Sequence, residues 1–111
     1  MQPTATDAQY ESAADLFALL AAPLRLKVVC QLLEGEKCVS ELMEKVGTGQ
    51  STLSRHLSML YRGGVLARRR HGAQVFYRIA DPRVRALRRS VCPDGQGRPQ
   101  RHVVTQNKEN A

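Results

Sequence analysis

The sequence predicts a mainly α-helical domain with a small β-hairpin, in which four helices precede the hairpin and one follows it. Apolar residues recur at helical spacing through the first half of the chain. The period then changes to two alternating runs around a glycine turn, as in a hairpin. A length of 111 residues fits one such domain. We expect it over residues 10–92, with a flexible N-terminus at 1–9 and a disordered tail at 93–111.

The helical spacing predicts four helices, over about 8–21, 23–34, 39–46 and 51–62. A proline opens the second helix, where its missing N–H is no loss. A glycine follows the second, third and fourth helices and ends each of them. The apolar stripes of the four helices are Ala13, Leu16, Phe17, Leu20; Leu26, Val29, Cys30, Leu33; Val39, Leu42, Met43, Val46; and Leu53, Leu57, Leu60.

The hairpin is predicted from two strand-like runs, Val65–Arg70 and Gln74–Ile79. In the second run apolar and polar residues alternate, as a half-buried strand requires. Asp81 is suited to cap a final helix with Pro82 at its first position, and Pro93 stops that helix. The apolar side of this helix is Val84, Leu87 and Val91.

Basic residues are concentrated in the second half of the chain. Residues 1–61 carry five basic and seven acidic groups, whereas residues 62–101 carry eleven arginines and two acids. The formal net charge is +7 and the sequence pI is about 9.9. Because the planar guanidinium matches phosphate oxygens, this distribution favours a nucleic-acid partner. A solvated basic face and a patch for acidic lipid remain alternatives.

The sequence argues against membrane and secreted classes. No apolar run approaches the ~20 residues of a membrane helix, and residues 1–15 lack the basic start of a signal peptide. Three cysteines without an export signal are typical of a cytoplasmic protein. We therefore expect cytoplasmic localisation and no membrane partner.

Patterns of catalytic sites are missing from the sequence. It contains no Cys-x-x-Cys pair, no Gly-rich phosphate loop and no convincing Ser/His/Asp arrangement. We expect neither enzyme activity nor a cofactor.

The third helix, a short turn at 47–49 and the fourth helix form a helix–turn–helix pattern. Opposite its leucines, the fourth helix carries a stripe of small hydroxyl residues and arginines without any acid, and Gln50 lies at its entrance. Small side chains let a helix enter the major groove of DNA, where arginine bonds guanine edges or phosphate. The alternative is a solvated helix face, although such faces usually mix Glu and Lys. The stripe consists of Ser51, Ser54, Arg55, Ser58 and Arg62.

The hairpin brings Arg68, Arg69, Arg70 and His71 towards its tip, where they suit a wing that lies along the phosphate backbone. Such contacts contribute affinity and salt dependence, not sequence choice. His56 has two interpretations. It is either a histidine at the edge of the core that bonds the neighbouring turn, or a direct base contact.

Five runs of this sequence resemble the ArsR/SmtB family of bacterial winged-helix repressors: 22–26, 34–36, 39–42, 49–57 and 75–78. The resemblance covers about residues 10–92. It implies a homodimer with the first and last helices at the interface, which binds double-stranded operator DNA until an inducer releases it. The DNA-binding residues predicted from the stripe, the wing and the resemblance are Gln50, Ser51, Thr52, Ser54, Arg55, His56, Ser58, Arg62, Arg68, Arg69, Arg70, His71 and Gln74.

Two metal sites that are familiar in this family are incomplete here. One uses a Cys-x-Cys pair at the start of the third helix, where this chain has only Cys38. The other uses Asp, His and Glu on the last helix, which here has no histidine and no acid after Asp81. A closed zinc site typically has four protein ligands, and a catalytic one has three and a water.

Cys30 and Cys92 instead resemble the cysteines of the BigR/HlyU/SqrR persulfide- or redox-sensing group. This resemblance implies release from DNA when a reactive sulfur species or an oxidant modifies the two thiols. Cys92 comes about one helical turn, ~5.4 Å, earlier than its counterpart. Since a disulfide needs Cα atoms about 4.4–6.8 Å apart, direct bridging is left open. The alternatives are arsenite or soft-metal sensing that recruits Cys38, and inert thiols, with Cys30 a small core residue and Cys38 exposed.

Overall fold

The structure, a computed structural model, describes residues 4–93. The strands form a three-stranded antiparallel sheet in the order β1-β3-β2. The predicted winged helix–turn–helix is confirmed: α3 and α4 form the helix–turn–helix, and β2 with β3 forms the wing. The expected tail lies outside the described residues from position 94 onwards. In chain order the elements are α1 Asp7–Leu20, α2 Pro23–Leu33, β1 Lys37–Cys38, α3 Val39–Val46, α4 Gln50–Arg62, β2 Leu66–His71, β3 Gln74–Ile79, α5 Pro82–Ala86 and α6 Arg88–Val91.

Helix α1 begins at Asp7, one residue before the spacing predicts and inside the segment for which we expected flexibility. The hydroxyl of Thr6 accepts a hydrogen bond from the N–H of Gln9 at 3.2 Å. The side-chain oxygen of Gln9 accepts in return from the N–H of Thr6 at 2.7 Å. This reciprocal cap satisfies N–H groups that a helix start otherwise leaves free, and it explains the early start of the helix.

The apolar face of α4 lies in the centre of the core. Leu53, Leu57 and Leu60 are at most 1% exposed, as their spacing predicts. Helix α4 ends at Gly63, where a side chain would collide with that of Leu19 on α1. A side chain at this position would require the flexible end of Leu19 to move, so α1 approaches the end of α4 closely here.

The strand β1 is too short to be recognised by periodicity. Lys37 and Cys38 pair with Tyr77 and Phe76 of β3, so the loop after α2 becomes the third strand of the sheet. Cys38 is only 5% exposed, and the expectation of an exposed Cys38 is wrong. Its burial follows from the strand pairing, which places it between the sheet and α3.

The final helix is divided into two short helices. Asp81 caps α5 as predicted, since its carboxylate accepts from the N–H of Arg83 at 2.9 Å. The chain then makes a tight turn in which the N–H of Leu87 bonds the carbonyl of Val84, three residues earlier. Because of this break, α6 runs in a different direction from α5. Val84 is therefore buried, whereas Val91, which was predicted on the same apolar side, is 40% exposed.

Two aromatic residues of α1 lie on the surface. Phe17, which the spacing places in the apolar stripe, is 56% exposed, and Tyr10 is 66% exposed. The apolar stripe of α1 is therefore only partly in the core of its own chain, since Leu16 and Leu20 are buried and Phe17 is not.

Over residues 4–93 no single helix is long and apolar enough to cross a membrane. Helices α1 and α2 reach the length and composition of a membrane span only when they are counted as one segment, and a bend of 98° separates them.

Candidate nucleic-acid interface and thiol site

Helix α4 presents the predicted stripe on its outer side. Gln50, Ser51, Ser54, Arg55 and Arg62 are exposed. The N-cap residue of α4 is Gly49, which has no side chain that could accept a hydrogen bond from the first N–H groups of the helix. The first N–H groups of α4 are therefore available to an anion such as a phosphate. The remaining predicted residues of this helix, Thr52, His56 and Ser58, are half-buried beside the stripe.

The wing arginines divide into two kinds. The guanidinium of Arg68 lies 4.0 Å from the ring centroid of Tyr61. Arg69 donates to both carboxylate oxygens of Glu36, at 2.9 and 2.8 Å. Both side chains are thus held against the protein in mid-strand, not at the tip as expected. Arg70 and His71 lie next to the turn, are exposed, and form no ion pair within residues 4–93.

Glu36 connects the loop after α2 to the wing. The hydrogen bonds from Arg69 lower the pKa of this carboxyl group below its usual value. Glu36 therefore stays ionised at neutral pH and orients the Arg69 guanidinium. This partner is absent from the sequence prediction because the two residues are 33 positions apart.

A cleft of about 830 Å³ separates α4 from the wing. Gln50, Ser54 and Tyr61 line it from α4, and the arginines at 68–70 line it from β2. Gln74 lies in the same wall as the arginines. The cleft is therefore polar and cationic, and it lies between the two elements predicted to contact DNA.

His56 is held by a residue that the sequence analysis missed. A guanidinium nitrogen of Arg25, on α2, lies 3.1 Å from Nδ1 of His56. Burial, followed by the charges of Arg25 and Arg55, lowers the pKa of His56. The imidazole is therefore neutral, with Nδ1 accepting and Nε2 carrying the proton. This geometry favours a histidine at the edge of the core, although its partner is Arg25 and not the neighbouring turn.

Arg25 also contacts two further elements. Its Nε donates to the carbonyl of Leu19 at 2.6 Å, and its guanidinium reaches the sulfur of Met59 at 3.5 Å. One side chain on α2 thus joins the end of α1 to α4. The sequence suggests Arg25 as part of the run at 22–26 and as a cation near the cysteines, and no local pattern marks its partners His56 and Met59.

Cys30 and Cys92 are joined by a disulfide, with their Cα atoms 5.7 Å apart. This separation lies within the range for a disulfide, so the question left open by the early position of Cys92 is answered. Cys92 follows α6 in extended conformation, beside the middle of α2. The bridge therefore joins α2 to the last helix across 62 positions of sequence.

Cys38 is the free cysteine of the chain and lies apart from this pair, at the start of α3. Its sulfur lies 3.2 Å from the hydroxyl of Ser40. The N–H of Cys38 donates to the carboxylate of Glu41 at 3.0 Å. In the part of the chain that the structure describes, no group of three His, Cys, Asp or Glu side chains is placed to share a metal ion.

The fold and this surface define a winged helix–turn–helix protein with a cationic outer face. The sequence model of the family described as "Bacterial regulatory protein, arsR family" matches residues 22–67. The chain is 42% identical over 74 residues to the "Biofilm growth-associated repressor" of Xylella fastidiosa strain Temecula1. The aligned residues make up 67% of this chain and 65% of that protein.

Solved structures agree with this match. The structure of HlyU from Vibrio cholerae N16961 has a TM-score of 0.74 at 32% identity and covers 77% of this chain and 92% of that one. The homodimeric winged helix–turn–helix DNA-binding domain Mb0332 of Mycobacterium bovis has a TM-score of 0.68 at 30% identity, covering 81% and 86%. The chain belongs to the arsR family of bacterial regulatory proteins.

Proposed function

We propose that this chain is a dimeric transcriptional repressor that binds operator DNA and is released when Cys30 and Cys92 are modified. The observation that carries DNA binding is the acid-free, exposed stripe on α4 beside a cationic wing. Exposed helix faces usually mix acidic and basic residues, whereas this one carries arginines and small polar side chains, which bond guanine edges and phosphates when a helix enters the major groove. The similarity to a repressor and to a DNA-binding domain supports the same conclusion.

The contacts divide by chemistry. Gln50, Ser51, Ser54 and Arg55 occupy the first turns of α4, from which recognition helices contact base edges. Thr52 and Ser58 flank them, and Arg62 at the end of the helix suits a phosphate. On the wing, the exposed side chains are Arg70, His71 and Gln74. Arg68 and Arg69 keep their protein partners and present their remaining N–H groups to the phosphate backbone of the DNA.

The proposed switch is the bond between α2 and the last helix. Without the bond, the two segments are held by non-covalent contacts, among them the hydrogen bond from Arg88 to the carbonyl of Leu33; with it, they are joined covalently across 62 positions. In chain-entropy terms, closing a loop of this length contributes about 4 kcal/mol. That free energy acts against the unfolded chain, so the switch also requires that the bridge fit two folded arrangements of α2 and the last helix unequally. A change from 1:99 to 99:1 needs about 5.5 kcal/mol of such a difference.

A persulfide, R–S–SH, is one oxidant that converts the thiols of Cys30 and Cys92 into a disulfide. One cysteine thiolate takes the terminal sulfur and RSH leaves. The second thiolate attacks the cysteine sulfur of the resulting protein persulfide, forms the disulfide and displaces H₂S. Two protein thiols are thereby oxidised, and the added sulfur is reduced to sulfide.

We expect the reduced protein to bind duplex DNA tightly and the oxidised protein to bind it weakly. A labelled duplex, selected from a random pool with reduced protein, reports the affinity by fluorescence anisotropy. Six or more phosphate contacts predict a loss of about 10³-fold in affinity between 50 and 200 mM salt. Oxidation is expected to weaken binding at least about tenfold, and dithiothreitol to restore it. Failure of the reduced protein to bind any selected duplex would contradict the proposal.

The dimer is proposed from the exposed aromatics of α1 and from the homodimeric state of the Mb0332 domain. We expect Phe17→Glu to convert the wild-type dimer into a monomer, because the charge would be buried at the interface. Light scattering after gel filtration measures the mass against the 12.3 kDa of one chain. Phe17→Leu is the matched control and should stay dimeric. A wild-type protein with the mass of one chain at micromolar concentration would contradict this arrangement.

A further inference from the structure

A second cleft, of about 1270 Å³, lies beside the Cys30–Cys92 bridge, between α2 and the last helix. Both cysteines line it, so a reagent that occupies the cleft lies next to the pair. Its cations come from four elements, α2, α3, α5 and α6, and are Lys27, Lys45, Arg85, Arg88 and Arg89.

These five cations have no carboxylate partner within residues 4–93. The one acid that lines the cleft, Glu34, lies 4.0 Å from the ammonium group of Lys37. Like charges that converge on a concave surface focus the field and raise the local concentration of anions. The cleft is thus electrostatically suited to an anion.

Gln31 also lines the cleft, although its side-chain oxygen is inaccessible to solvent and forms no hydrogen bond within residues 4–93. The remaining walls include the apolar side chains of Leu26 and Val46.

We propose that this cleft binds a small anionic disulfide or persulfide with carboxylate groups, and so selects the reagent that oxidises the cysteine pair. The proposal rests on the proposed function, in which oxidation of this pair is the signal. With a disulfide R–S–S–R, one cysteine thiolate attacks a sulfur and RS⁻ leaves. The second thiolate displaces the other RS⁻ from the mixed disulfide. Two protein thiols become one disulfide, and two RSH are formed.

The test compares three aliphatic disulfides that differ in charge: dithiodipropionate, bis(2-hydroxyethyl) disulfide and cystamine. Reduced full-length protein is mixed with each, quenched with an alkylating agent, and its Cys30–Cys92 bridge is quantified by mass spectrometry. We expect the anionic reagent to react at least about tenfold faster than the neutral one and the cationic reagent to be slowest, with the differences shrinking as salt rises.

The double variant Lys27→Gln, Arg88→Gln should slow the anionic reagent about tenfold and leave the neutral-reagent rate within about twofold. Arg78→Gln, which removes an exposed arginine outside the cleft, is the control and should preserve the charge order.

Equal rates for the three reagents would overturn the proposal. So would an equal slowing of all three in the double variant, because cations that act only on thiolate formation affect every reagent alike. DNA binding by the fully oxidised protein is measured separately. If the three reagents differ in rate as expected while the oxidised protein keeps its affinity for DNA, the cleft proposal holds and the proposed repressor switch is wrong. If the three reagents react at equal rates while oxidation still releases the protein from DNA, the switch holds and the cleft proposal is wrong.

Discussion

Ser54→Glu is expected to abolish DNA binding while leaving the fold intact. Ser54 is exposed in the α4 stripe and lines the cleft between α4 and the wing. A glutamate there places a negative charge against the DNA surface and adds bulk where a helix must enter a groove. Like charges at an interface cost several kcal/mol, so we expect the affinity to fall at least about 100-fold.

The measurement is fluorescence anisotropy with the selected duplex at about 0.1 M salt, at which phosphate contacts still contribute. Ala80→Glu is the control, because it adds the same charge at an exposed position between β3 and α5 and should keep most of the affinity. Ser54→Ala keeps the small size and should bind within about tenfold of wild type, since it removes one hydrogen-bonding group. If Ser54→Glu bound as tightly as Ala80→Glu, the α4 stripe would not be the DNA-contacting surface.

Cys30→Ser is expected to produce a repressor that binds DNA and no longer responds to oxidants. The substitution removes one sulfur of the bridge and conserves the size of a half-buried side chain. The variant should bind within about twofold of reduced wild type, because the reduced protein lacks the bridge as well. Persulfide or a dianionic disulfide should release the wild type and leave the variant bound.

Affinity before and after oxidation is measured together with the intact mass, which shows whether the bridge has formed. Cys92→Ser should behave like Cys30→Ser. Cys38→Ser is the matched control and should still be released, because Cys38 is buried beside α3 and outside the bridge. Release of Cys30→Ser by the same reagents would show that sensing occurs at another group.

The helix that carries Cys30 contacts both parts of the proposed interface. Arg25 on α2 bonds His56 on α4, and the loop that follows α2 carries Glu36, which holds Arg69 of the wing. A displacement of α2 therefore acts on α4 and on the wing through direct contacts. This arrangement is a physical route from the thiols to the DNA-binding elements, and the oxidation experiments above test whether the protein uses it.

Helix prediction succeeded wherever the determinants were local. The leucines of α4 recur at helical spacing and are buried, and Gly47 ends α3 in left-handed conformation with φ 76°. The two-residue strand β1 and the break at Leu87 escaped prediction. A period needs several repeats to be visible, and β1 exists only because β3 pairs with it.

Some of the candidate site could also be assigned from local pattern. The composition of the α4 stripe is visible in the sequence because helical geometry alone puts its residues on one side. The roles of Arg68 and Arg69 could not be assigned in this way. Their partners, Tyr61 and Glu36, come from other elements, and arginines that look alike in sequence are therefore held differently in the fold.

The amino-acid sequence by itself determined the helix–turn–helix, the wing and the acid-free stripe, since each depends on residues a few positions apart. Only the tertiary structure decided that Cys30 meets Cys92, that Arg25 meets His56 and that Phe17 faces outwards. These outcomes depend on how helices pack across distant segments. A periodic pattern shows which side of a helix is apolar, and packing alone decides what that side contacts.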